Sequence, residues 1–145
     1  MSLVTDIADA VASELNAAPP DTFSQPVTAE RHVLPQFELQ DLAELRVTVV
    51  PKGVEIGGST RASSQYDITV DVGIQKKVGK DLDAEVAALG TLVDEVAEHL
   101  RRRTLAEAPY AQWVGIRNEP VYAPEHLSEQ RVFTSVLTVS YRAMK

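Results

Sequence analysis

The chain has 145 residues, a formal net charge of -7, 44% apolar residues and 24% charged residues. This is one domain's length at ordinary globular composition, which excludes the disordered and fibrous classes. The acidic balance argues against a chain whose main task is neutralising nucleic-acid phosphates or docking on an anionic membrane. Cysteine is absent. Disulfides, thiolate-bound metals and cysteine nucleophiles are thereby excluded, and a reducing compartment suits the composition.

The N-terminal segment lacks the basic start and the continuous apolar stretch of a signal peptide, being interrupted by Asp6, Asp9 and Glu14. No apolar run approaches the roughly 18 residues that a membrane-spanning helix needs. Ser2 or Thr5 can cap a first helix, along which Val4, Ile7, Ala8, Val11 and Leu15 form one apolar stripe. Pro19 and Pro20 end it, since neither donates a backbone hydrogen bond. Residues 27–33 alternate weakly as a strand, Pro35 breaks them, and a helical turn is expected within 37–45.

Leu45, Val47 and Val49 alternate with Arg46 and Thr48 as a half-buried strand that Pro51 is expected to close. The Gly/Ser-rich stretch that follows reads as a flexible hairpin tip over 52–64. Tyr66, Ile68, Val70, Val72 and Ile74 then alternate strictly with polar residues and glycine, the clearest strand signal in the chain. The long helix carries Leu82, Val86, Leu89, Val93, Val96 and Leu100 on one face. Asp81, Asp83 and Glu85 fall in its first turn and Arg101, Arg102 and Arg103 in its last, both suiting the helix dipole. A strand over 113–116, resuming near Val121, and a final strand over 131–142 complete the order. Strands in short-linked runs with two helices predict an α+β domain spanning 1–145. Its sheet is mostly antiparallel with four to five strands, and the N-terminal helix and the long helix pack on one face.

Motifs for chemistry are absent. His32, His99 and His126 have no metal-ligand spacing, and His99 reads as lying on the solvated side of its helix. There is no GxSxG elbow. Gly57-Gly58-Ser59-Thr60 lacks the lysine of a P-loop and leads into a strand, so it reads as a hairpin tip. Asp67 and Asp71 belong on a polar strand face, and Arg101–Arg103 compensate a helix end in preference to binding phosphate. Trp113, near Tyr110, is either an interface anchor or a core residue. Tyr122 precedes a turn at Pro124 and is a candidate surface aromatic. No catalytic, cofactor-binding or metal-ligating residue is assigned, and no enzymatic activity is expected. The candidate contact residues for partners are Lys52, Arg61, Gln65, Trp113 and Tyr122.

Four segments carry a family resemblance. They are Arg31-His32-Val33-Leu34-Pro35-Gln36-Phe37-Glu38-Leu39, the strand Leu45-Arg46-Val47-Thr48-Val49-Val50-Pro51, the strand from Tyr66 to Lys77, and the last strand from Arg131 to Tyr141. In that order, with the helices between them, they make the chain similar in plan, over nearly its whole length, to the small tail-terminator (tail-completion) proteins of long-tailed bacteriophages. The resemblance implies a virion structural protein of the tail and neck, assembled in the host cytoplasm. It implies a homo-hexameric ring that stops polymerisation of the tail tube protein and presents a joining surface to the head–neck connector or stopper protein. Genomic DNA would pass through the ring without specific binding, with no membrane and no cofactor involved. A ring needs two unlike, complementary surfaces on each subunit, and exposed sheet edges can supply one. The competing readings are another head–tail completion protein, a small ligand-binding α+β module, and a hydrolase, the last of which needs a deep pocket with convergent polar groups.

Overall fold

The fold is that of a computed structural model, which describes residues 2–33, 42–58, 61, 63–119 and 121–144. Helix α1 (Leu3–Asn16) begins where the Ser2 hydroxyl accepts the Thr5 amide at 3.2 Å. Its buried face is Ile7, Ala8, Val11 and Leu15, with Ala10 and Ala12 beside them. At its end the Asn16 side chain holds β1 (Ala29–Arg31) by both backbone groups of one residue. Its Nδ2 donates to the Ala29 carbonyl at 2.9 Å and its Oδ1 accepts the Ala29 amide at 2.7 Å. That clamp fixes a strand too short to specify itself by pattern.

The remaining elements are β2 (Arg46–Gly58), β3 (Ser64–Lys77), α2 (Leu82–Leu100), β4 (Gln112–Asn118), a short wide helical turn (His126–Gln130) and β5 (Val132–Met144). The sheet order is β1-β2-β3-β5-β4, with β1 parallel to β2 and every other neighbour antiparallel. The expected α+β architecture is therefore present, with one parallel pair added at the β1 edge. Alternation along β3 buries Ile68, Val70, Val72 and Ile74, and the opposed residues Tyr141, Val139, Leu137 and Ser135 of β5 are buried beside them. α1 packs on β1 and β2 and α2 on β5, and all join one continuous apolar core.

Asp81 caps α2, its carboxylate accepting the Ala84 amide at 3.3 Å. Leu89, Val93, Val96 and Leu100 are buried as the spacing predicts, while Leu82 and Val86 pack on the core half-buried. Two expectations for this helix fail. It ends at Leu100, so Arg101–Arg103 lie beyond its last turn, Arg102 with a left-handed φ of 56°. His99 is buried, not solvated: its Nε2 donates to the Glu14 carbonyl at 3.1 Å and its ring meets Phe23 edge-on at 5.5 Å. The Glu14 carbonyl lies in the last turn of α1, where carbonyls lack helical partners, so His99 joins the two helices.

Three other boundaries differ from the sequence reading. Pro51 does not close β2, because pairing with β3 continues to Gly58. The expected strand over 27–33 shortens to Ala29–Arg31, and β4 does not resume at Val121. Of the helical turn expected within 37–45 only 42–45 falls among the described residues, where Leu42 is buried.

Candidate interaction surface

The β2–β3 hairpin makes the most exposed apolar surface built on regular structure. Gly53 to Gly58 pair with Thr69 to Ser64, so 52–58, read from the sequence as loop, is strand, while residues 59, 60 and 62 of the expected tip lie outside the described residues. One irregularity sets the character of this arm. Val49 opposes Val72 and Pro51 opposes Val70, then Gly53 opposes Thr69 and Val54 opposes Ile68. Lys52 is thus an extra residue, a β-bulge, and it reverses which side of β2 faces the core. Before it the odd positions Val47 and Val49 face the helices; after it the even positions Val54 and Ile56 do. The bulge also tolerates Pro51, which has no amide to donate. Val54 is 42% and Ile56 60% exposed.

The opposite edge of the sheet has its own bulge. Trp113 opposes Tyr141 and Gly115 opposes Ser140, leaving Val114 as the extra residue at 47% exposure. Trp113, Ile116 and Asn118 face the helix side through their pairs Tyr141, Val139 and Leu137. With Val93, Ala97 and Leu137 they line a groove of about 470 Å³ between α2 and β4, rimmed by Asp94, Glu98 and Arg101.

The face of the sheet away from the helices is polar. Asp67 accepts from Arg142 Nε at 2.9 Å and from Gln65 Nε2 at 3.1 Å. The Arg142 bond first, and the Gln65 bond second, hold the Asp67 carboxyl below its ordinary pKa of 3.8. Asp71 accepts from the Thr138 hydroxyl at 2.7 Å, with Lys52 Nζ 3.8 Å away.

The five candidate contact residues do not form one patch. Lys52 is the bulge residue, Gln65 pairs with Gly57 near the end of the hairpin, and Arg61 is exposed between the two strands in sequence, so these three belong to the arm. Trp113 sits across the sheet in the groove, half-buried against the core, its indole N–H buried without an acceptor among the described residues. Tyr122 lies near the opposite end of β5, its ring 6.3 Å from that of Phe133. Val54, Ile56 and Val114 are the residues the sequence reading missed. The signal for the first two was available as the alternation of Val54-Glu55-Ile56 between glycines.

A second cavity, of about 570 Å³, lies where β1 and β2 begin, lined by Glu30, His32, Glu44, Arg46, Thr48 and Lys76 among others. Opposite charges are mixed along it. Among the described residues no group of three or more His, Asp or Glu side chains is placed to hold a metal ion, and no helix is long and apolar enough to cross a membrane. In comparison with known proteins, the chain matches no family model and no curated sequence.

Proposed function

We propose that this chain is a structural subunit of the tail-terminator type. In this reading it closes into a ring on the end of a phage tail tube, stops the tube growing and offers the joining surface for the head–neck connector. The observation that carries the reading is the pair of unlike exposed edges on one sheet. At one edge, β1 covers β2 only at residues 47–49, so among the described residues no strand pairs the outer side of 50–58. At the other, no described strand pairs the outer side of β4. A subunit with two different exposed edges on opposite sides can associate head to tail, and such contacts make a ring when the rotation between neighbours closes and a filament when it does not.

The number six comes from the family resemblance, as does the place in the virion. The acidic net charge of -7 suits a ring that DNA crosses without sticking. The pairing of Arg142 with Asp67 and Lys52 with Asp71 takes two cations of the polar face away from phosphate. The test is native mass by light scattering over a range of concentration and salt, alone and with assembled tail tubes, alongside electron microscopy. Rings near six chains, or rings formed on tube ends with halted elongation, are expected. One or two chains under every condition, with tubes growing unhindered, overturns the reading.

A further inference from the structure

We propose that neighbouring subunits join by strand addition: the edge of the β2 arm that no described strand pairs, in one copy, pairs with the outer edge of β4 in the next. Val54 and Ile56 then enter the groove between α2 and β4. The proposal rests on the ring reading and names its interface. Four features of the fold define it.

Strand sense comes first. Because β2, β3, β5 and β4 alternate in direction, β2 and β4 run oppositely. A second copy set alongside in the same orientation therefore presents β2 antiparallel to β4, the arrangement joined by perpendicular hydrogen bonds. Height is the second. Glu55, Asp67, Arg142 and Gln112 lie on one rung, and Val49, Val72, Leu137 and Asn118 on another. A neighbour shifted by four rungs, about 13 Å along the strands, sets Glu55 beside Arg117 and Ile56 beside Ile116, and carries its own β1, paired at 47–49, clear of β4.

Side is the third. The Lys52 bulge turns Val54 and Ile56 to the helix side, which is also the side of Trp113 and Ile116. In a neighbour of the same orientation the exposed pair faces the apolar floor of the groove. Without the bulge the two residues would point to the polar face. Charge is the fourth. Glu55, on the polar face of the arm, falls on the side that carries Arg117 of β4, which is 73% exposed and pairs with the similarly exposed Glu119 at 3.4 Å, so Glu55 would add a second carboxylate to that cation.

The test uses two variants of the full chain at exposed positions. Ile56→Glu disables the arm, and Asp94→Trp fills the groove from its rim. Circular dichroism and thermal melting check that both fold. Each variant alone is expected to stay a single chain where the wild type assembles. Mixed together they should give a species of two chains and nothing larger, because one intact arm meets one intact groove and both remaining surfaces are disabled. Reversing both charges, Glu55→Arg with Arg117→Glu, should restore the assembly that either reversal weakens.

If the wild type assembles and Ile56→Glu assembles equally well, this interface is wrong and the ring reading stands. If the two variants fail alone but do not pair when mixed, the head-to-tail contact between arm and groove is likewise wrong. A wild type that remains one chain under every condition removes the interface together with the ring.

Discussion

Trp113 and Tyr141 oppose one another across β4 and β5, and each buries a polar group, the indole Nε1 and the phenol oxygen, that finds no hydrogen-bond partner among the described residues. Tyr141 is fully buried, whereas Trp113 is half-buried at the groove. An unmet buried hydroxyl costs roughly 1–3 kcal/mol. Tyr141→Phe keeps the ring and removes that cost, so the variant is expected to equal the wild type or exceed it by about 1 kcal/mol in urea unfolding. A loss of stability instead would reveal a partner for the hydroxyl.

The same residue sets an alkaline limit. Burial, and then the nearby Glu14 charge, push the Tyr141 phenol well above its ordinary pKa of 10.0. Below the unfolded value both states are neutral and nothing is lost. Above it the unfolded chain ionises first, so stability falls as the pH rises past about 10. Tyr141→Phe should flatten that part of the pH–stability curve, measured by melting temperature in alkaline buffers.

Asp67 acts at the other end of the scale. With its folded pKa held below 3.8, its bonds to Arg142 and Gln65 stabilise the fold above that value. Their contribution disappears as the pH falls through the lower folded value. Asp67→Asn is therefore expected to melt slightly below wild type at pH 7, with the gap closing under acid conditions. A gap that stays constant down to acid pH would contradict this sign.

His99 is the polar tie between the two helices. His99→Ala leaves the Glu14 carbonyl without its donor and removes the ring contact with Phe23. A loss of about 1–3 kcal/mol is expected from the unmet carbonyl and lost packing, read as a lower urea midpoint at unchanged slope.

Deleting Lys52 tests the parity of the arm. Pairing with β3 would run on without the bulge, and Val54 and Ile56 would turn to the polar face. Helix and strand content should persist while self-association is lost. Assembly at wild-type concentrations would show that the side of these residues does not matter.

Patterns with one dominant period were legible in the sequence. The strict alternation of residues 66–74 and the stripe from Leu89 to Leu100 both map onto buried faces. His99 was misread because α2 buries a broader face than that stripe, one that also takes in Leu92. β1 has too few residues for a period, and it is held by Asn16, a contact across the chain that no local pattern encodes. The arm was hidden because Pro51 and three glycines resemble a loop, whereas an edge strand with a bulge accepts both. The candidate surface was half legible. Lys52, Arg61 and Gln65 share the arm and Trp113 lines the groove, but the apolar pair between Lys52 and Arg61 and the pairing levels that relate the two edges exist only in the folded sheet.

The strand order has a consequence for synthesis. β5 stands between β3 and β4, yet it follows both in the chain. A nascent chain on the ribosome that has not reached residue 132 holds β4 with no strand to pair with and β3 with one side bare. The halves of the sheet can join only when that segment emerges, so each subunit gains its second edge at the same moment that it gains its finished core.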